Sequence, residues 1–538
     1  MRLRHYLPRA ATGPRRLPDV LSLSSLVPPT LRATSHDPFH PRGMRAVWAT
    51  ARDLTRFRPG LALALAVAAP LLAQGSSSGA PMSRADSTRV GLAPAARATG
   101  PTALPAESTQ TALSRATGSD AWQAWVLGTS INVIGQSLRP FAAKYSGPLS
   151  LTASGDRQMS QAFGVYAGAR LARRLEVYID FEMIRGDGIS NASGLAGLSN
   201  GDVLRQGSTD LGKDPYLARA YLRYTVALPG ATEEMVERTQ GQVPGPRPSR
   251  RLEFYAGKLA LNDLIDLNRY AGSTRLQFQN WGLWQNTAWD YAADTRGYSN
   301  GVALAWIEPR WVLRLASVQM PTMANGNILD AHLDGARGDN VELTASPGRW
   351  GTVVRALAYV NRGRMGRYAV ALATGAAAGK APDIVADDAE EGRIKYGYGL
   401  NVEQPLADGG ETGLFARFGW DDGATESFAF TEVDRHVSVG AQFAGARWGR
   451  PADRAGIATV VHGLANVHAA YLAAGGSGFL LGDGALNYGR ETVVEAYYRW
   501  QLGPYLQVSP DMQQVWNPGY NRDRGPATVV ALRLYLKY

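Results

Sequence analysis

The densest group of side chains able to bind a solute lies between residues 262 and 298. Trp281, Trp284 and Trp289 occur there together with Asp290 and Arg296. Indole rings offer flat apolar faces for stacking, carboxylates accept hydrogen bonds, and guanidinium groups donate them in fixed directions. These residue types suit reversible binding of a polar solute, although a surface loop packed by its own aromatic residues would have the same composition.

The histidines do not favour catalysis. His436 and His462 fall on segments with strand-like alternation, where a hydrogen-bonded structural histidine is the common case. Oxygen-bearing side chains at residues 262–268 could bind Ca²⁺, but their spacing is not that of an EF-hand loop. We therefore predict no catalytic residues, no metal site and no cofactor, and we do not expect an enzyme.

The distribution of charge argues against a nucleic-acid partner. The net charge is +10, but residues 1–118 contain 15 basic and 5 acidic side chains, which accounts for all of it. Residues 119–538 contain 41 side chains of each sign. Equal numbers of basic and acidic side chains in residues 119–538 predict no basic surface for nucleic acid. The same balance of charge argues against strong anion selectivity.

The N-terminal region has the composition of targeting and linker segments. Residues 1–43 are rich in Arg, Pro and Ser, and we expect them to be untranslated or disordered, with Met44 as the true start. Residues 44–74 combine a basic stretch, a short apolar stretch and small residues, which is typical of a signal peptide. Residues 75–118 are dominated by Ala, Ser, Thr, Gly and Pro, which predicts a disordered linker.

No apolar run in the chain reaches the length of a transmembrane helix. Residues 119–538 instead alternate between apolar and polar side chains, and this period of two is the signature of β-strands. In residues 216–228, for example, Tyr216, Ala218 and Leu222 fall on the apolar face and Arg219 falls on the other. About sixteen segments alternate in this way, near 126–134, 161–170, 175–182, 216–228, 252–259, 300–307, 311–319, 339–345, 352–360, 396–404, 413–421, 436–446, 455–462, 493–501, 505–513 and 527–538.

Short connections alternate with long ones between these segments. Residues 172–174, 308–310 and 502–504 form tight turns, whereas residues 186–212 and 262–298 form long loops. Short turns at one rim and long loops at the other are typical of outer-membrane barrels. We therefore predict an all-β fold over residues 119–538, a transmembrane antiparallel β-barrel of about 16 strands with short periplasmic turns and long extracellular or inward loops.

The last segment separates a membrane barrel from a soluble β-sandwich or propeller, which would also alternate. Leu534, Leu536 and Tyr538 share one face of this segment, and Arg533 and Lys537 share the other. An apolar face with a final aromatic residue is what a barrel-closing strand offers to lipid and to the barrel assembly machinery.

Several motifs resemble one known family. They are Asn-Trp-Gly-Leu-Trp at 280–284 and further stretches at 289–298, 361–368, 415–423, 447–451, 471–479, 495–498, 509–513 and 517–526. Over residues 122–538 the sequence resembles the carbohydrate-selective porin family of Gram-negative outer membranes. The resemblance implies a barrel in the outer membrane that admits sugars by facilitated diffusion, with charged and aromatic side chains at its constriction. Predicted export and the absence of cysteine agree with a bacterial envelope protein.

A sugar presents hydroxyl groups and weakly apolar C–H faces, so its pore needs hydrogen-bond acceptors, donors and aromatic rings. The pore-lining side chains that we predict to bind it are Trp289, Asp290, Arg296, Arg269, Glu182, Arg223, Glu253, Arg314, Arg417, Glu495 and Arg499. Alternation also places Glu176, Asp180, Arg219 and Glu342 on the inner face. Inner-face side chains with charges of both signs suit neutral solutes. Alternatively, many of these side chains pair across strands and only keep the lumen polar.

Two other functions stay open from the sequence. One is a general or anion-selective porin, and the other is a secreted soluble β-protein that binds or cleaves glycans. The expected partners are small sugars, outer-membrane lipid and the barrel assembly machinery. The sequence names neither the sugar nor the oligomeric state.

Overall fold

A computed structural model describes residues 124–204 and 211–538. The predicted segments 1–43, 44–74 and 75–118 lie outside the described residues. Within the described part of the chain, no helix is both long enough and apolar enough to cross a membrane.

Sixteen strands pair into one closed antiparallel barrel, which confirms the predicted fold class. They are β1 (Trp125–Leu138), β2 (Asp156–Ala172), β3 (Leu175–Gly186), β4 (Tyr216–Ala227), β7 (Arg251–Leu259), β8 (Ser299–Glu308), β9 (Trp311–Gln319), β10 (Arg337–Ala345), β11 (Val353–Gly363), β12 (Arg393–Ala407), β13 (Thr412–Asp421), β14 (Arg435–Ala444), β15 (Arg454–Gly463), β16 (Glu491–Leu502), β17 (Leu506–Trp516) and β18 (Ala527–Lys537). Two more strands, β5 (Glu233–Val236) and β6 (Gly245–Pro248), pair only with each other.

The strands turn apolar side chains outward and polar side chains inward. In β3, Ile179 and Phe181 are 42% and 50% exposed, whereas Glu176 and Asp180 are buried. This is the opposite of a soluble protein and is the pattern of a barrel whose outer face is suited to lipid and whose inner face is filled with hydrogen-bonding partners.

The barrel closes where β18 pairs with β1. Leu534 lies opposite Val133, and Leu536 lies opposite Ile131. Tyr538 continues the ladder, since its N–H and C=O both bond Thr129 at 2.9 Å. The side chains of Leu534, Leu536 and Tyr538 are all exposed on the outer face.

The two rims of the barrel differ. The short-turn rim carries tight connections such as 173–174, 309–310 and 503–505. The long-loop rim carries residues 187–215, 260–298, 320–336, 364–392, 422–434 and 464–490. Its loops contain the helices α1 (Trp281–Trp284), α2 (Tyr368–Ala378) and α3 (Asn466–Ala473).

One connection of the short-turn rim is long. Residues 228–250 join β4 to β7 and contain the β5–β6 hairpin. Sequence alternation does not predict this hairpin, because its strands are short and β6 includes two prolines.

The predicted faces of β4 are wrong at its N-terminal end, because the strand contains a β-bulge. Asp180 pairs with Arg219 and Phe181 pairs with Leu217, so Ala218 has no partner in β3. One extra residue reverses the faces on its N-terminal side. Tyr216 and Ala218 therefore point inward, where both pack against Tyr298, and Leu217 is exposed on the outer face.

Candidate solute pathway through the barrel

Residues 260–298, here called the inward segment, leave the long-loop rim and fold into the barrel. The carboxylates of the wall accept hydrogen bonds from its backbone. Glu342 accepts from Asp266 N at 2.7 Å, and Glu495 accepts from Gln279 N at 2.5 Å and Asn280 N at 2.9 Å. An isolated stretch of loop has few partners of its own, so these bonds satisfy polar groups that the lumen would otherwise leave unpaired.

The arginines of the wall complete this attachment by donating to backbone carbonyls of the segment. Arg417 donates to Ala271 O at 2.7 Å and forms an ion pair with Asp266 at 3.1 Å. Arg533 donates to Thr274 O at 2.7 Å. Arg499 donates to Leu276 O. Four of the predicted inner-face residues therefore hold the segment, namely Glu342, Arg417, Glu495 and Arg499.

Three of the sequence-predicted residues also hold the inward segment in place. Trp289 is 2% exposed and donates from Nε1 to Asn340 at 2.9 Å. Asp290 accepts from the backbone of Phe428 and forms an ion pair with Lys395. At the short-turn rim, exposed Arg269 donates to a carbonyl of the 408–411 turn. None of the three lines either of the two cavities described next.

The first cavity has a volume of about 200 Å³ and a row of aromatic rings on its lining. The rings of Trp281 and Phe430 stack with centroids 4.9 Å apart, and those of Tyr291 and Phe430 stack at 4.7 Å. Trp284 extends the row, 4.9 Å from Trp281. These stacked rings form one continuous apolar part of the cavity lining.

The remaining lining of the first cavity is charged. Arg296 lies over the ring of Tyr216 at 4.5 Å, and Arg275 forms an ion pair with Asp202 at 3.0 Å. Glu182 lies 3.5 Å from the guanidinium of Arg275. Donors, acceptors and rings therefore meet in one space, and two predicted residues, Arg296 and Glu182, are among them.

The second cavity has a volume of about 130 Å³ and includes the predicted residues Arg223, Glu253 and Arg314. Glu253 is bonded by Arg251 at 2.7 Å and by Tyr255 at 2.5 Å. Each guanidinium of this group thus faces at least one carboxylate, as Arg314 does with Glu342.

Among the described residues, the two cavities share two lining residues, Arg219 and Gln240. Arg219 forms ion pairs with Asp263 at 2.6 Å and Asp180 at 3.3 Å. Gln240 donates to the same Asp180 at 2.8 Å. This group marks the junction between the cavities.

Several residues that line the two cavities were not predicted from the sequence. Phe430 lies in the loop 422–434 between β13 and β14, and Gln240 and Arg247 lie in the hairpin connection. A local signal existed only for the hairpin, where Pro-Arg-Pro-Ser-Arg-Arg at 246–251 concentrates charge in a supposed turn.

An ionic cluster ties together the loops of the long-loop rim. His468 on α3 lies 3.0 Å from Asp434 and 3.6 Å from Glu432, and its protonated Nε2 lies 3.0 Å from the hydroxyl oxygen of Tyr368 on α2, to which it donates. The neighbouring carboxylates raise the pKa of His468 to about 9, against the effect of burial. The imidazolium in turn helps to lower the pKa of Asp434 to about 2.

Within the described residues, one group of side chains has the spacing of metal ligands, Asp330, His332 and Glu391. The guanidinium of Arg364 lies 3.7 Å from Asp330 and is bonded to Glu391. A cation would have to displace this arginine.

Two Gly-x-Ser-x-Gly sequences occur, at 197–201 and 297–301, but neither has the surroundings of a nucleophile. Ser199 donates to Gln136, and Ser299 donates to Gln319 O. His436 does bond Ser438 at 3.0 Å, yet both are buried neighbours on β14 without access to the cavities.

Comparison with known proteins identifies the family. The family model described as carbohydrate-selective porin, OprB family, matches residues 150–538. The high-pH structure of Pseudomonas putida OprB superposes with a TM-score of 0.55 at 15% identity, covering 80% of this chain and 96% of that one. The outer membrane channel DcaP of Acinetobacter baumannii gives a TM-score of 0.44 at 9% identity, covering 77% of this chain and 97% of that one.

A search of curated proteins found no match. At these identities the structural likeness shows the fold, whereas the family model covers most of the chain. This chain belongs to the carbohydrate-selective porin family, OprB.

Proposed function

We propose that this outer-membrane carbohydrate porin passes neutral mono- and oligosaccharides by facilitated diffusion. The observation that carries the proposal is the lining of the first cavity, where a row of aromatic rings shares one space with charged side chains of both signs. A pyranose can place its C–H face against this aromatic row while its hydroxyl groups bond Arg296 and Glu182. Each contact is weak, as passage through a pore requires.

The electrostatics of the lining support neutral solutes. The arginines of the second cavity each face a carboxylate, with Glu176 shared by Arg223 and Arg247 and Glu253 shared by Arg247 and Arg251. Paired charges offer polar contacts without a strong net field, so they favour neither cations nor anions. A general or anion-selective porin is the runner-up, and it would need unpaired arginines along the passage.

The proposed location is the Gram-negative outer membrane, with lipid around the barrel and the barrel assembly machinery as the inserting partner. Residues 44–74 would serve as the signal peptide and residues 75–118 as a linker. The apolar outer face, including exposed Trp306, Trp500 and Trp516, supports this location over a soluble glycan-binding protein.

Liposome swelling with purified protein tests the substrate, using neutral mono- and disaccharides beside a charged sugar of similar size. We expect neutral sugars to enter faster than charged ones. Planar-bilayer reversal potentials should show weak discrimination between K⁺ and Cl⁻. Strong anion selectivity, or recovery of the protein as a soluble periplasmic species, would overturn the proposal.

A further inference from the structure

The hairpin connection of residues 228–250, here called the inner hairpin, is unlike the other turns of its rim. The next longest connection there is 445–453, and the shortest are 173–174 and 309–310. The inner hairpin does not extend away from the barrel but folds back into the lumen.

Contacts with β3 and β4 fix the path of the inner hairpin. Val243 is fully buried and donates from its backbone N–H to the hydroxyl of Tyr178 at 3.0 Å. Arg223 donates to Gly241 O at 3.3 Å. Gly241 has a φ of 72°, and a Cβ there would lie 3.1 Å from the hydroxyl of Tyr221. The turn is therefore pressed closely against the aromatic side chains of the wall.

Buried ion pairs hold the base of the inner hairpin. Arg247 lies 2.9 Å from Glu176 and 3.4 Å from Glu253, and all three side chains are buried. Separating such a pair would leave buried charges without partners, so the hairpin is held firmly rather than loosely.

The tip of the inner hairpin reaches the junction of the two cavities. Gln240 and Arg219 are the residues that line both cavities, and both bond Asp180. These two side chains therefore lie where the two cavities adjoin.

From this geometry we infer that Gln240 is a specificity-determining residue of the pore. Its side chain narrows the passage from the side of the short-turn rim. The inference rests on the proposed transport of sugars. An uncharged amide donates and accepts hydrogen bonds, so a sugar hydroxyl can take the place of the Gln240–Asp180 bond. Gln240 thus adds to the inward segment, which narrows the lumen from the long-loop rim.

The chain contains no cysteine, so Gln240→Cys creates a single labelling site. A thiol-reactive methanethiosulfonate reagent should then remove most of the single-channel ion current. Met235→Cys is the matched control, because Met235 lies on the same hairpin, is 65% exposed and lines neither cavity. Its labelling should leave the current unchanged. Complete labelling of Gln240→Cys without loss of current would overturn the inference.

Two further substitutions keep the test independent of labelling. Gln240→Ala should raise the single-channel conductance and weaken block of the current by sugar, whereas Gln240→Trp should lower the conductance. Unchanged conductance in both assembled variants would also overturn the inference. Ion current does not depend on which sugar is carried, so a failure of neutral-sugar transport with intact responses at residue 240 would reject only the proposed function.

Discussion

The guanidinium of Arg417 on β13 forms an ion pair with the carboxylate of Asp266 on the inward segment, with Nε and Oδ1 3.1 Å apart. Both side chains are buried inside the barrel. The pair shows that a charged residue on the inner face can serve the fold rather than the solute.

Replacing Arg417 by Met should destabilise the barrel. The change leaves the Asp266 carboxylate without its ion-pair partner and the carbonyls of Ala271 and Leu283 without this donor. Loss of one partner from a buried ion pair costs about 3–5 kcal/mol. Thermal unfolding in detergent, followed by heat-modifiable gel migration, measures the loss. Arg447→Met is the control, since exposed Arg447 lies 3.8 Å from Asp408, and equal effects of the two changes would contradict this role.

The His468–Asp434 pair should make stability depend on pH. The pKa of His468 rises from 6.5 to about 9 in the folded protein, so its contribution is complete below pH 6.5 and is lost as pH rises through 9. The pKa of Asp434 falls from 3.8 to about 2, so its contribution is complete above pH 3.8 and is lost as pH falls through 2. Both contributions are therefore complete between pH 3.8 and 6.5.

Melting temperatures of wild type and His468→Gln across pH 5 to 10 check this dependence. The difference between the two proteins should shrink steadily on the alkaline side. His332→Gln, at an exposed histidine outside this cluster, is the matched control. A constant difference between wild type and His468→Gln would show that the ring acts by packing alone.

Arg296→Ala and Trp289→Ala should have different consequences. Arg296 lines the first cavity, so its loss should remove about 1 kcal/mol of sugar binding and weaken sugar block of the current about fivefold. Trp289 is buried behind the cavity, so its loss should cost about 3–5 kcal/mol of stability. Current block and thermal unfolding, measured on both variants, separate the roles. Equal effects on block would place Trp289 in the sugar path.

Tyr538→Asp should impair assembly rather than conductance. The Tyr538 ring lies on the outer face, 5.5 Å from the ring of Tyr505, beside the seam between β18 and β1. A charge on the lipid face costs up to a few kcal/mol, depending on depth. Folded protein in the membrane fraction should decrease, while the assembled channels should conduct normally. Tyr538→Phe should assemble as the wild type does, and normal levels of Tyr538→Asp would contradict the prediction.

The course of the strands was predictable because it depends on a local rule. Side chains of a strand point alternately to its two faces, so lipid outside and polar partners inside impose a period of two on the sequence. All sixteen predicted segments overlap barrel strands, and residues 527–538 pair with β1 while their apolar face points outward. The bulge at Ala218 was not predicted from the sequence, because a single unpaired residue does not change the composition of the strand.

The roles of the charged inner residues were decided by the tertiary structure. Arg417 and Arg314 have the same side chain and both face inward, yet the first holds the inward segment and the second lines a cavity. The difference depends on which backbone groups lie opposite, and those groups come from distant parts of the chain. The sequence by itself determined a barrel with a polar interior, because alternation is a property of neighbouring residues. Only the tertiary structure decided where the passage runs, because the inward segment and Gln240 reach it through contacts between residues far apart in the chain.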